Sequence, residues 1–391
     1  MAVVRPGVEV LAGQGFRPLA GKRVGLVTNP TGVLPDLRST VDVLAKAPGV
    51  RLQALFGPEH GVRGDVPAGA YVASSKDPST GLPVYSLYGT TKRPTAAMLR
   101  GLDVLVFDIQ DIGSRSYTYL STLGNVMEGA AAVRMPVVVL DRPNPLGGER
   151  VEGSPLESGF TSFVGKYPIP YVHGMTLGEL ARMINGRGWL PNGARCDLTV
   201  VPCQNWRRGM TDWTQTGLPW VPTSPHIPRP DSSHFYAATG VTGELPTLSI
   251  GVGYTLPFEL AGAPGLSAIW LAREMERRNL AGFRFRPMTW TPFYNRFEGK
   301  SCSGVQIHLD DPARADLTRL NFELMDAVRR LDKKRAFFAT ASTTRMFDLV
   351  CGTDRIRKAF QAGAGSAQLW SLWNAGRDGF RAARKPYLLY S

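Results

Sequence analysis

Four short apolar runs near the start of the chain each end, always on the C-terminal side, in a cluster of polar and turn-forming side chains. Residues 24–27 run into Thr28, Asn29, Pro30, Thr31 and Gly32. Residues 52–56 run into Gly57, Pro58, Glu59, His60 and Gly61. Residues 104–107 lead to Asp108, Ile109, Gln110 and Asp111, with Arg115 and Tyr117 close behind, and residues 137–140 lead to Asp141, Arg142, Pro143, Asn144 and Pro145. Runs this short and this rich in Val and Leu read as parallel strands covered on both faces, and the helical stretches 39–47, 95–100 and 117–133 lie between them. The pattern predicts an α/β domain with a doubly wound, mostly parallel sheet. In such sheets ligands sit outside the carboxyl ends of the strands, so the polar clusters are the expected inventory of a site.

A chain of 391 residues with 43 % hydrophobic content has material for two or three cores. Its apolar stretches fall short of the roughly 20 residues a bilayer span needs, which excludes an integral membrane protein of the helical kind. The first residues lack the apolar core of a signal peptide, so a cytoplasmic protein is expected, with export through a leader outside this sequence as the alternative. Cys196, Cys203, Cys302 and Cys351 lack the close pairing of a zinc site and read as buried thiols. The formal charge of +13 favours anionic partners. No nucleic-acid-binding module accompanies it, and much of the excess lies at helical spacing in 329–335 and 355–385, as on a solvated face.

Beyond the four runs, a Gly/Pro-rich loop (144–170), a helix (176–185) opened by Thr176 with Glu179 three residues on, and a strand (198–203) continue the first domain. A stretch dense in Pro and Trp follows at 206–230, to be either packed over the sheet edge or used to stack on sugars or bases. From about residue 246 the pattern changes to a helix (267–279), two strands (283–289 and 304–309), a helix (315–331) and further helices, with a closing Tyr387-Leu388-Leu389-Tyr390 that reads as a docking strand. The division expected is a catalytic domain over 1–235 and a smaller α+β domain over 236–391.

Among the candidates, Glu59 stands between Pro58 and His60 on a glycine-flanked turn, a carboxyl beside a partner able to share a proton. It is either a general acid or a turn-bracing residue. Asp108 and Gln110 share a face if their strand continues; either Asp111 forms an internal salt bridge with Arg115, or Asp108 with Gln110 binds hydroxyls, positions water or holds a divalent cation. Arg142 offers a planar fork suited to a carboxylate, or braces its loop through Asp141. His173 precedes the capped helix and either faces the cleft or is structural. No G-x-G-x-x-G, Walker, G-x-S-x-G or H-E-x-x-H pattern is present, which argues against a nucleotide cofactor, a serine hydrolase of the elbow type and a zincin.

The segments at 56–61 (FGPEHG), 82–89 (LPVYSLYG), 107–111, 117–119 (YTY), 139–144 with Gly147 and Gly148, 162–165 (SFVG), 173–176 (HGMT) and 178–181 (GELA) resemble, in order and spacing, the NamZ family of exo-β-N-acetylmuramidases. The resemblance runs over roughly residues 20–391. It implies a Rossmann-like first domain, a smaller second domain with a cleft between them, and removal of N-acetylmuramic acid from the non-reducing ends of peptidoglycan fragments; no cofactor is expected. It also makes Glu59 the catalytic carboxyl. Two segments depart from the family pattern: E-G-T-N-x-S-E-G-R-G-T is here 244–254, keeping Glu244 but with Ile250 for an acid and Val252 for an arginine, and S-P-N-M-P is here Ser224-Pro225-His226-Ile227-Pro228.

The expectation drawn is a glycosidase acting on muramyl saccharides, with Glu59, His60, Asp108 and Asp111 as catalytic candidates. Asn29, Gln110, Arg115, Tyr117, Asp141, Arg142, Asn144, His173 and Glu244 are the substrate-binding candidates. Arg142, Arg115 or the basic second domain would read the lactyl carboxylate. A second carboxyl about 5–5.5 Å from Glu59 would point to retention, and one about 6.5–9.5 Å away to inversion, with substrate assistance outside that rule. The alternatives are a non-catalytic glycan-binding protein, and a Mg²⁺-dependent hydrolase built on Asp108, Asp111 and Asp141.

Overall fold

A computed structural model describes residues 2–64 and 75–391. Its larger sheet is built from β1 (Arg23–Thr28), β2 (Arg51–Gly57), β3 (Ser75–Lys76), β4 (Pro83–Ser86), β5 (Val104–Asp108), β6 (Val137–Leu140) and β7 (Leu198–Val201), in the spatial order β3-β4-β2-β1-β5-β6-β7. All pairings are parallel except that of β3 with β4. The four predicted strands are β1, β2, β5 and β6.

Side chains alternate across this sheet as the two-residue strand period requires. Val104 and Val106 face one layer, with Val8, Leu11, Val41 and Leu44 of the helices Gly7–Gly13 and Thr40–Lys46. Leu105 and Phe107 face the other, with Leu120, Leu123, Leu180 and Ile184 of the helices Tyr119–Ala132 and Leu177–Gly186. Both faces are covered, which is why the strands read as unbroken apolar runs. Gly25, at the centre, permits the closest packing: a Cβ there would stand 2.7–2.9 Å from Leu102, Leu105 and Phe56.

The chain winds outward from β1 through β2, then returns to the opposite side of β1 to begin β5. The switch point of the sheet therefore lies between the ends of β1 and β5, where Thr28 Oγ1 donates to the Asp108 carbonyl at 2.8 Å.

The second sheet is antiparallel, β8 (Leu260–Ala263), β9 (Phe283–Trp290) and β10 (Cys302–Leu309) in the order β8-β10-β9. The helices Ser232–Gly243, Ala268–Arg277 and Arg319–Leu331 pack with it around Phe322, Leu324 and Met325. The same cluster takes in Ile112, Leu146, Tyr171 and Val172 from the first domain, so the apolar core runs across the domain boundary.

The closing segment is not a strand: a single 3₁₀ turn (Lys385–Tyr387) precedes an irregular tail. It docks by side chains and caps instead. Leu389 N–H donates to Glu179 at 2.8 Å, and the Tyr390 ring meets Trp206 edge-on at 4.8 Å. All four cysteines are buried thiols.

Candidate active site

Strand β2 ends in a turn whose geometry fixes one side chain. Pro58 is rigid, His60 takes a left-handed backbone (φ 71°), Gly61 follows with φ 76°, and Gly61 N–H closes the turn on the Pro58 carbonyl at 3.0 Å. A non-glycine residue in that region costs of order 1–3 kcal/mol, and such outliers cluster at functional sites. Glu59, between Pro58 and His60, is directed into a cavity of about 180 Å³.

Two hydroxyls hold its carboxylate. Thr118 Oγ1 donates to Oε2 at 3.0 Å, and the Tyr88 phenol bonds the same group, its own pKa pushed up to about 12 by burial and by Glu59. Thr118 is the N-cap of the helix Tyr119–Ala132, so the carboxylate stands beside the positive end of a helix dipole.

The cavity wall comes from both domains. Ser116, Tyr117, Thr118 and Tyr119 follow β5; Ser224, His226 and Ile227 come from the Pro-rich connection; Tyr236 and Phe258 come from beyond it. Four rings form a continuous chain of edge contacts: Tyr117 meets Tyr119 at 5.0 Å and Tyr236 at 5.8 Å, and Tyr236 meets Phe258 at 5.0 Å. Their hydroxyls are fixed, Tyr117 donating to Thr223 Oγ1 at 2.7 Å, Tyr119 to the Thr223 carbonyl at 2.6 Å, and Tyr236 paired with Ser116 at 2.9 Å. Burial holds the phenols of Tyr117, Tyr119 and Tyr236 neutral, and it lowers the His226 imidazole with help from nearby His60. Glu59 is the one carboxylate among the described residues of this wall. The arrangement is a carboxylate with fixed aim, set among hydroxyls and aromatic edges.

Comparison with known proteins gives the chain's family. The family model for the N-terminal domain of the exo-β-N-acetylmuramidase NamZ matches residues 24–231, and that for its C-terminal domain matches residues 234–390. The chain belongs to the NamZ family. It is 42 % identical over 388 residues to the peptidoglycan β-N-acetylmuramidase NamZ of Bacillus subtilis (strain 168), covering 99 % of this chain and 91 % of that one. Crystal structures of two DUF1343 family proteins from Bacteroides fragilis are similar throughout. One has a TM-score of 0.94 at 48 % identity with 99 % of both chains covered, the other 0.80 at 31 % with 100 % of this chain and 99 % of that one.

Within this family member the remaining candidates separate by what they touch. Asp108 is fully buried and accepts both arms of the Arg142 guanidinium, Nε at 2.6 Å and Nη2 at 2.9 Å, while Thr40 Oγ1 donates to it at 2.6 Å. Arg142 also reaches the Val33 carbonyl at 2.9 Å. Gln110 donates to the carbonyls of Asp111 and Pro143, and its N–H bonds Thr31, which in turn is held by Asn29. Asn144 ties Leu146 to Met175. Asp141 accepts from Thr176, Gly178 and Tyr390, fixing the start of the helix Leu177–Gly186, and burial raises its pKa to about 6.

Arg115 does not pair with Asp111. It is 1 % exposed and donates to the carbonyls of Ser154, Ile169 and Val350, the last in the second domain. Burial lowers its pKa to about 10. His173 is buried and neutral, its pKa lowered to about 3, and Nδ1 accepts from Met175 N–H. Asp111 lies behind the tyrosine wall, one oxygen on Gly113 N–H and the other without a partner, and burial raises it to about 7. Glu244 caps the helix Ser232–Gly243, is raised by burial, and faces Arg296.

Of the candidates, Glu59, His60 and Tyr117 line the cavity; neither Arg115 nor Arg142 does. No group of three His, Cys, Asp or Glu among the described residues is placed to hold a metal ion. The residues missed by sequence reasoning are Tyr88, Thr118, His226, Tyr236 and Phe258. The first three sit inside motifs already singled out, 82–89, 117–119 and 224–228. Tyr236 and Phe258 had no local signal.

Proposed function

We propose that the protein is an exo-β-N-acetylmuramidase that removes N-acetylmuramic acid from the non-reducing ends of peptidoglycan fragments, with Glu59 as the general acid/base. The observation that supports this most is the Glu59 carboxylate, the one carboxylate among the described residues of the cavity wall, held by Tyr88 and Thr118 at a helix N-terminus. Protonated Glu59 delivers its proton to the glycosidic oxygen as the C–O bond breaks. The carboxylate then takes a proton from the water that adds to the anomeric carbon.

Glu59 is the one carboxylate of the wall among the described residues, and the substrate's own acetamido oxygen is a nucleophile able to support the anomeric carbon. The hydroxyls of Ser116, Ser224 and Tyr236 suit sugar hydroxyls. The imidazoles of His60 and His226 are the wall's nitrogen groups for the lactyl carboxylate, in place of the arginines expected from sequence.

Turnover of a chromogenic β-N-acetylmuramide tests the reading, with the matching N-acetylglucosaminide as control and EDTA present or absent. Hydrolysis of the muramide at least about tenfold faster than the glucosaminide, unaffected by EDTA, is expected from a charge-assisted contact of about 1.5–3 kcal/mol. Equal rates on both sugars reject the lactyl contact, loss of activity in EDTA restores the metal alternative, and no turnover of either rejects the enzyme.

A further inference from the structure

The most exposed large apolar side chain among the described residues is Phe293, 66 % exposed, and its neighbour Tyr294 is 48 % exposed. Both lie on the connection between β9 and β10. An aromatic pair left in water costs apolar burial without return, and patches of this kind mark ligand-binding surfaces.

These rings are held in place. Phe293 N–H donates to the Gly253 carbonyl at 2.7 Å, and the Phe293 ring stacks on Tyr254 at 5.4 Å with 26° between planes. Gly253 lies in the left-handed region (φ 97°), and a Cβ there would stand 2.1 Å from the Tyr294 carbonyl oxygen, so only glycine admits the contact. Tyr294 lies nearly parallel to His226, 22° between planes, and its hydroxyl pairs with His226 Nε2 at 2.8 Å. His226 is itself part of the cavity wall. The exposed rings are thus joined to the catalytic cavity through one imidazole.

We propose that Phe293 and Tyr294 form the platform for the second sugar ring of the substrate, on the leaving-group side of the scissile bond. The proposal rests on the exo-muramidase reading. An exo-acting enzyme encloses the terminal sugar, and everything beyond the scissile bond has to leave by the mouth. A cavity of about 180 Å³ is small beside the ~300–1,000 Å³ of typical ligand pockets and suits one ring. The face of a pyranose carries C–H groups that pack on flat rings, whereas its edge hydroxyls stay in water, which matches rings exposed on one side and braced on the other.

The test compares release of N-acetylmuramic acid from its methyl β-glycoside with release from the disaccharide it forms β-1,4 to N-acetylglucosamine. Both leaving groups are alkoxides, and only the second carries another ring. Phe293→Ala, and Phe293→Leu as the variant that keeps apolar volume while losing the flat face, are expected to lower the disaccharide-to-methyl ratio of kcat/KM by about three- to tenfold. Tyr294→Ala should do the same, and Tyr294→Phe, which keeps the ring, should retain most of the ratio. Trp270→Ala, an exposed aromatic change on the helix Ala268–Arg277, is the control and should leave the ratio as in the wild type. A ratio within twofold of wild type in both Phe293 variants, with melting temperatures preserved, overturns the platform while leaving the muramidase reading standing. Failure of the wild type to cleave either glycoside overturns both.

Discussion

The ends of β1 and β5 and the end of β2 are neighbouring places on one sheet, and both carry acids, yet they are built to opposite purposes. At the switch point Asp108, Arg142 and Thr40 satisfy one another, and the space left there by Thr31, Gln110, Arg142 and the Trp213–Trp220 segment is only about 20 Å³. One strand over, Glu59 is held by two hydroxyls and opens on a cavity of about 180 Å³. The usual crevice of a doubly wound sheet is here filled by the protein's own ion pair, and the candidate site lies instead at the end of β2, where the second domain supplies the opposing wall. A polar cluster at a strand end is thus read as a candidate site where it opens on a cavity, not where its ion pair closes the space.

The largest effect expected from this contrast is at Glu59. Glu59→Gln keeps the shape and both hydroxyl contacts but cannot deliver a proton, so kcat on a muramide should fall about 10²–10⁴-fold. The melting temperature should stay within a few degrees of wild type. Retention of more than half the rate would remove Glu59 from the mechanism.

Arg142→Ala should show the reverse. It strands the Asp108 carboxylate in the interior, and breaking a buried pair by removing one partner costs about 3–5 kcal/mol. Chemical denaturation should register that loss, while kcat per folded molecule, measured well below the melting transition, changes little. A large rise in KM for muramides, with stability unchanged, would instead make Arg142 the reader of the lactyl group and erase the distinction between the two regions.

Between these extremes lies Asp111, behind the tyrosine wall. Desolvation raises it to about 7, against roughly 3.9 in an unfolded chain. From about pH 4 to pH 7 the folded protein keeps a proton that the unfolded chain has released, so this group's contribution to stability falls as pH rises through that window and is constant above it. Asp111→Asn removes the titration, and its amide still accepts from Gly113 N–H. The variant's advantage in urea unfolding should be on the order of a few kcal/mol larger at pH 7.5 than at pH 4.5. His173 and His234, buried and lowered to about 3 and about 4, act in the opposite direction but equally in both proteins, so they cancel in the difference. An identical difference at both pH values would mean that Asp111 does not titrate in the fold.

Much of this is legible in the sequence itself. The predicted runs are β1, β2, β5 and β6, because a strand buried on both faces leaves an unbroken apolar string, and the capping box at Thr176 and Glu179 forms as read. Glu59 stood out because Pro, His and Gly around it prescribe a turn. What sequence spacing does not contain is which polar groups consume one another. Asp108 and Arg142 are 34 residues apart, and Arg115 spends its guanidinium on Val350, 235 residues away. Tyr236 and Phe258 reach the wall only because the second domain meets the turn after β2. Ile250 and Val252, the departures from the family pattern, belong to that domain's packing, Ile250 buried against Gly243 and Val252 against the same core. Neither lines the cavity.

The smallest effect, and the sharpest probe of the β2 side, concerns the two hydroxyls on Glu59. If Tyr88 and Thr118 position the carboxyl rather than merely pack beside it, each can substitute in part for the other. Tyr88→Phe and Thr118→Val should then each lower kcat about three- to tenfold, with little change in melting temperature, since each deletes one hydrogen bond of about 0.5–1.5 kcal/mol. The pair should cost more than the product of the singles, because groups holding one carboxylate couple. The same substitutions made on the Glu59→Gln background separate positioning from packing. With no proton left to aim, Tyr88→Phe should have almost no further effect on the residual rate, whereas a purely structural role would lower it by the same factor in both backgrounds. Equal factors, measured on protein of verified fold, would reduce Tyr88 and Thr118 to wall residues and leave the turn at Pro58 and His60 as the sole device that directs Glu59.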